Sequence, residues 1–213
     1  SGWLLKDIQM DYLQKRFAKK GLMILYTTPW PGQGFYTKFP VNQVSDFKGK
    51  KLRIYSTATQ EMGSMLGFNA TILPFAEIPQ AFSTGLIEAL FTSPQTGIDI
   101  QAWDNTKHFT YAGAIFSKNA VVVTKKAFNA LSKKDQGNLL AAAKNAELRG
   151  WEMSSETTKA QIATLEKNGM LAKNAPDAVI SKMKSIGQEM IKTWRKKASP
   201  EANAVLDRYL AMR

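Results

Sequence analysis

Arg53 is the residue whose setting most demands a chemical explanation. It lies inside Lys51-Leu-Arg-Ile-Tyr55, a strand pattern in which Leu52 and Ile54 face one way and Arg53 and Tyr55 the other. A guanidinium among residues expected to be buried needs a partner, because an unpaired charge in a dry site is strongly unfavourable. Two arrangements would supply one. The first is an internal salt bridge, with Glu77 or Glu88 as the carboxylate. The second is a bound carboxylate gripped through two parallel hydrogen bonds. Open α/β sheets offer the space for it, in the crevice beyond the carboxyl ends of their strands. Composition and spacing leave these two alternatives even.

Other constellations are weaker. The single histidine, His108, follows Asp104 by four residues, and Ser93 or Ser117 could complete a hydrolytic triad, but no Gly-x-Ser-x-Gly turn supports one. Lys48-Gly-Lys-Lys51 lacks the spacing of a phosphate-binding loop, and Gly-x-Gly-x-x-Gly does not occur. One histidine precludes a multi-histidine metal site, and the absence of cysteine removes thiolate ligands, disulfides and cysteine nucleophiles together. The 17 carboxylates show no clustered metal-ligand pattern, and the nine methionines are dispersed as core fillers would be. The expectation is a binding protein, not an enzyme, with no cofactor and no metal.

The elements that would position Arg53 alternate. A helix is expected over Asp7–Lys20, ending at Gly21, and a short strand over Leu22–Tyr26. Thr27–Gly34 is a turn-rich connection and the candidate domain crossing. After the 51–55 strand, Thr57-Ala-Thr-Gln60 has capping-box spacing for a helix to Met65, closed by Gly67. A strand at 69–73, a helix at 77–84 with Pro79 in its first turn, and a strand at 86–91 follow. This alternation predicts a parallel sheet covered by helices. Val121–Val123 is a further strand. From Ser132 a helical pattern runs to about Asn168 without proline, roughly 50 Å at 1.5 Å per residue, so an element spanning two lobes is expected. Helices at 177–197 and 200–212 finish the chain.

The chain has 213 residues with 44% hydrophobic content, enough for a substantial core. No apolar run approaches the length of a membrane span. The N-terminus lacks the charged-then-apolar pattern of a signal peptide, as expected of a mature or truncated chain. The formal net charge of +12 raises the alternative of a basic nucleic-acid or anionic-surface binding module. The lysine doublets at 19–20, 50–51, 125–126, 133–134 and 196–197 are scattered at element ends, which fits a solvated surface better than a nucleic-acid face.

Taken in order, Asp46-x-Lys-Gly-x-Lys-x-Arg53, Pro74-Phe-x-Glu77, Thr84-Gly-Leu-Ile-Glu88 and Leu131-Ser-x-x-Asp-Gln136 resemble the solute-binding proteins of TRAP transporters. The similarity runs essentially from residue 1 to the C-terminus. It implies a two-lobed, periplasmic α/β protein that closes on a small organic anion and presents it to TRAP membrane permease subunits, with no nucleic-acid partner. Arg53 then matches the family's carboxylate-gripping arginine, Phe75 an aromatic wall, and Thr92 a position often held by a hydrogen-bonding asparagine, with Ser93 beside it. Tyr55 and Trp103 are candidate walls for an apolar ligand body. Family members are about half as long again, so the first lobe is expected to be incomplete. The implied division is 1–30 as a remnant of lobe I and 31–117 as the ligand-binding sheet of lobe II. Residues 118–158 would be the return strand and spanning helix, and 159–213 helices packed on lobe II. Gly34-Phe-Tyr-Thr37 carries no second arginine, and Phe91-Thr-Ser-Pro94 replaces an acidic-Asn-Pro stretch. Both departures favour a smaller monoanion over a sialic-acid-like ligand.

Overall fold

The computed structural model describes residues 2–212. In chain order the elements are helix α1 (Gly2–Ala18), strands β1 (Leu22–Pro29), β2 (Gln33–Thr37) and β3 (Lys51–Ile54), and helix α2 (Thr57–Met65). Then come β4 (Asn69–Ile72), α3 (Ile78–Ser83), β5 (Ala89–Thr92), α4 (Pro94–Asp99), β6 (His108–Ala114) and β7 (Lys118–Thr124). The remainder is α5 (Lys125–Asn129), α6 (Lys133–Glu156), α7 (Thr158–Lys167), β8 (Leu171–Asn174), α8 (Asp177–Lys197) and α9 (Pro200–Ala211). These residues form two compact units, one of 2–30, 116–156 and 194–212, the other of 31–115 and 157–193.

The larger unit is built on a six-stranded sheet in the order β4-β3-β5-β2-β6-β8. β3 runs parallel to β4 and β5, and β6 runs parallel to β8, but β2 is antiparallel to both its neighbours. The sheet is therefore mixed, where βα alternation alone predicted a parallel one. Of the strands not expected, β2 is one of the two at the centre of the sheet. All five residues of β2 are buried, yet Pro31 and Gly32 before it and Gly34 within it read locally as a turn. Gly34 is there for space: a Cβ would sit 2.5 Å from the Thr110 carbonyl oxygen.

Strand alternation sends alternate side chains into two cores. Phe35, Leu52, Ile54 and Phe91 join Phe47, Phe68, Val179 and Ile186 on one face. Tyr36, Leu90 and Phe109 join Ile78, Phe82, Leu165 and Met170 on the other. The helix after β3 begins with a reciprocal cap one residue earlier than its spacing suggested: the Ser56 hydroxyl accepts from Thr59 N, and the Thr59 hydroxyl accepts from Ser56 N. Gly67 and Gly85 end their helices at φ +98° and +70°, where a side chain would be strained.

In the smaller unit, β1 and β7 form a two-stranded antiparallel ribbon. α6 packs against β1, and α1 packs against α9 and β1. Gly150 on α6 allows that approach, since a Cβ there would lie 2.7 Å from Thr28 Oγ1. A buried polar knot fixes the contact. Glu147 accepts the Thr27 amide at 2.9 Å and its hydroxyl at 3.0 Å, Lys6 donates to its other oxygen at 3.1 Å, and Trp151 Nε1 donates to the Thr27 carbonyl at 2.9 Å.

The helical run expected over 132–168 is two helices, α6 and α7. The break falls at Thr157 within Ser154-Ser-Glu-Thr-Thr158, not at a glycine. There the Ser155 hydroxyl bonds back to the Glu152 carbonyl at 2.7 Å, and such back-bonding bends helices. Residues 194–212 group with the smaller unit, where α9 packs against α1, whereas 159–213 as a whole was expected with the large sheet. Among the described residues no helix is long and apolar enough to cross a membrane.

Candidate functional site

Leu52 and Ile54 occupy one core, so Arg53 between them faces the other side, in register with Leu90 of β5. Thr92, two residues beyond Leu90, shares that face. Both residues therefore lie toward the carboxyl ends of parallel strands, where α/β sheets form ligand crevices.

Arg53 is 5% exposed. Its Nε donates to the Leu73 carbonyl at 3.0 Å, which pins the side chain at the turn following β4. Its guanidinium stands 6.0 Å from the Tyr55 ring centroid, within cation–π range. Burial lowers its pKa from the ordinary value, and Tyr55 opposes that shift; an arginine so placed stays protonated near neutral pH. No carboxylate pairs with it among the described residues. Glu88 sits 3.7 Å from Lys50 Nζ and accepts the Lys51 amide instead, and Glu77 makes no ion pair among the described residues. The internal salt bridge that the sequence allowed is thus not formed. Both Nη groups keep their donors for something else.

The hydroxyl of Thr92, a residue 6% exposed, makes no hydrogen bond among the described residues. Ser93 differs. Its hydroxyl caps α4, accepting from Thr96 N at 3.1 Å and lying 3.0 Å from Thr96 Oγ1. The Tyr36 hydroxyl, its pKa raised by burial, donates to the Ser93 carbonyl at 3.1 Å. Ser93 thereby holds the end of β5 and the start of α4 in place.

Tyr55 is tied to Gln33, with the Tyr55 hydroxyl 2.8 Å from the amide nitrogen and 3.0 Å from the amide oxygen. Gln33 also donates to the Ile115 carbonyl at 3.0 Å. Gln33 is 2% exposed, and nothing in its sequence setting singled it out. Trp103 packs as a partly buried residue against the Tyr36–Phe109 core, the packing role open to a Trp-Asp pair. Phe75 is 53% exposed and lines a surface pocket to which Arg53 does not contribute. His108 is half-buried at the start of β6, its pKa lowered by burial and then by Lys173 and Lys107. Among the described residues its ring makes no hydrogen bond to Asp104, Ser93 or Ser117.

Arg53 and Thr92 thus stand at the strand ends of a mixed α/β sheet, the arginine without a carboxylate and the hydroxyl without a hydrogen bond among the described residues. The chain belongs to the bacterial extracellular solute-binding protein family 7, the DctP family, whose pattern matches residues 3–197. Its fold is that of the TRAP solute-binding proteins. The extracytoplasmic solute receptor DctP7 of Bordetella pertussis, solved with pyroglutamic acid, is 38% identical. The alignment covers 98% of this chain and 69% of that one, with a TM-score of 0.94. A marine metagenome TRAP solute-binding protein specific for pyroglutamate is 32% identical over 99% of this chain and 69% of its own, with a TM-score of 0.92. A solute-binding protein of Chromohalobacter salexigens is 26% identical over 153 residues, 68% of this chain but only 45% of that relative's length.

Proposed function

We propose that this chain captures a small organic monocarboxylate outside the cytoplasm, in the periplasm, and delivers it to a TRAP-type membrane permease without catalysing a reaction. The observation that carries this reading is Arg53: a buried guanidinium fixed through Nε, with both Nη groups free of protein partners. That is the donor geometry a carboxylate accepts in bidentate fashion. Thr92 orients the ligand, Tyr55 backs the guanidinium, and Phe75 offers an apolar wall. Ser93 contributes by holding the strand end, and Trp103 by packing beneath it.

Pyroglutamate is the leading ligand, because relatives 38% and 32% identical bind it. It is a compact monoanion whose ring amide can meet a neutral hydroxyl. This choice also suits a site with one guanidinium and no second arginine at 34–37. The charge pattern and the family both disfavour the nucleic-acid alternative.

Isothermal titration with L-pyroglutamate, L-proline, lactate and pyruvate tests the reading. Saturable one-to-one binding of pyroglutamate, reduced at least about 30-fold in Arg53→Lys, is the expected result. Binding that survives Arg53→Lys within about threefold, a difference below 1 kcal/mol, would remove Arg53 from the site.

A further inference from the structure

One stretch of the larger unit combines an irregular backbone with a buried amide side chain. Where β2 meets β6 the pairing passes from Gly34–Tyr111 to Gln33–Ala114, so Ala112 and Gly113 are extra residues on β6. Bulges of this kind re-aim side chains beside functional sites. Gly113 takes φ +58°, which costs a glycine little. Ile115 takes φ +53°, and for a β-branched residue that is a strained outlier. Its side chain is exposed, so core packing does not force the backbone there. A hydrogen bond does bear on it: Gln33 Nε2 donates to the Ile115 carbonyl at 3.0 Å. The same nitrogen lies 2.8 Å from the Tyr55 hydroxyl, and the Tyr55 ring stands beside the Arg53 guanidinium. Ile115 is also the last residue of the larger unit before the chain passes at Phe116 into the smaller one.

We propose that Gln33 is a positioning residue that holds the Tyr55 ring against Arg53 and the Ile115 backbone in its left-handed state, coupling ligand capture to the connection at 115–116. The proposal rests on the carboxylate-binding reading of Arg53. Gln33 is 2% exposed, so water cannot replace its partners, and losing one leaves a buried amide unsatisfied. The relaxed backbone of an isoleucine is extended, and residues at element ends are where hinges absorb such changes. A glycine at 115 would keep the left-handed state unaided, whereas an isoleucine makes that state depend on the bond from Gln33. A carboxylate that fixes Arg53 and Tyr55 therefore steadies Gln33, and through it Ile115. The coupling is reciprocal: the factor by which ligand favours the left-handed state is the factor by which that state favours ligand.

Calorimetry and NMR on the isotopically labelled full chain test both ends of the clamp. In the ligand-free chain, Gln33→Met should move the Ile115 carbon shifts and HN–Hα coupling from left-handed toward extended values. Pyroglutamate binding should weaken about five- to tenfold, as the loss of one or two neutral hydrogen bonds implies. Saturating pyroglutamate should shift the Ile115 and Phe116 amides in wild type and no longer in Gln33→Met. Adding Ile115→Gly to Gln33→Met should recover at least about threefold in affinity, since glycine takes the left-handed backbone without help. A glutamine that merely filled space would not be rescued there. Tyr55→Phe combined with Gln33→Met should cost less than the product of the two single losses. Should dichroism show Gln33→Met unfolded, Gln33→Glu replaces it, because an ionised carboxylate cannot donate to the Ile115 carbonyl; the same changes at Ile115 are expected. Unchanged Ile115 shifts in the free variant, or no rescue by Ile115→Gly, would overturn the coupling. Pyroglutamate binding to wild type with silent Ile115 and Phe116 amides overturns the coupling alone, whereas no binding to wild type removes the carboxylate reading and the coupling with it.

Discussion

Arg53 and Lys118 are both cations held in the interior, and they differ in what surrounds them. Arg53 has one donor satisfied by the Leu73 carbonyl, and on the proposed reading its Nη groups take the ligand carboxylate. Replacing it by lysine keeps the charge but loses the planar fork, and truncating one partner of a desolvated charge pair removes about 2–5 kcal/mol, roughly 30- to 4000-fold in affinity. Titration calorimetry with pyroglutamate reads this directly. Thr92→Val should do less. A neutral hydroxyl bond contributes about 0.5–1.5 kcal/mol net, so affinity falls at most about tenfold while the fold is kept; abolished binding would reverse the two roles. Lys118, on β7, has an enclosed Nζ with no hydrogen-bond partner among the described residues. Its pKa is lowered, chiefly by burial and then by Lys6, with Glu147 opposing. Lys6 and Asp7 come from α1, Glu147 from α6, and Glu147 is already engaged by Lys6 and Thr27. A lysine whose folded pKa lies below its unfolded value disfavours the folded state at low and neutral pH. That penalty fades as pH rises from the folded pKa toward the unfolded value of about 10.4. Lys118→Met should therefore raise stability by about 1 kcal/mol near pH 7. Its advantage over wild type should shrink in urea melts as pH approaches 10, and a gap that widened with pH would show the sign to be wrong.

At the scale of elements, β2, one of the two strands at the centre of the sheet, is the most sensitive to small changes. A methyl group on Gly34 would press on the Thr110 carbonyl at 2.5 Å and on the Tyr111 Cα at 2.9 Å, backbone atoms that cannot rotate away. Overpacking of this kind costs about 1–3 kcal/mol, so Gly34→Ala should lower Tm by roughly 5 °C, measurable by calorimetry. The same glycine explains why β2 was not legible beforehand. Gly and Pro punctuate turns in local sequence, and only a neighbouring strand reveals that the glycine is there for close approach. By contrast β3, β4, β5, α2, α3, α8 and α9 were readable from apolar alternation, capping residues and terminal glycines, signals that lie within each segment. β6 and β8 were missed because His108–Ala114 and Leu171–Asn174 carry little alternation and gain their strand character from pairing. The site divides the same way. Arg53 was conspicuous as a charge inside an apolar strand, whereas Gln33 is a polar residue beside glycines whose bonds to Tyr55 and Ile115 join residues 22 and 82 positions away.

The net charge of +12 belongs to the whole molecule, and its distribution decides what it does. The lysine doublets sit at separate element ends, and the described ion pairs of Glu88, Glu189 and Asp207 dispose of only a few cations. A dispersed positive field raises the local concentration of small anions without presenting the contiguous face that a polynucleotide needs. Two different salt responses follow. For pyroglutamate, stopped-flow association should slow by a few fold between about 10 and 150 mM ionic strength, as the Debye length contracts from roughly 30 to 8 Å. The dissociation rate, set by the buried Arg53 contact, should change little. For a polynucleotide, binding should be weak, with a log–log salt slope shallower than the roughly −5 to −9 expected of a protein neutralising 6–10 phosphates. Tight polynucleotide binding with that steep slope, together with salt-independent pyroglutamate association, would make the charge a recognition surface in its own right. A slope near −2 with salt-sensitive association would identify it as a guide for the ligand.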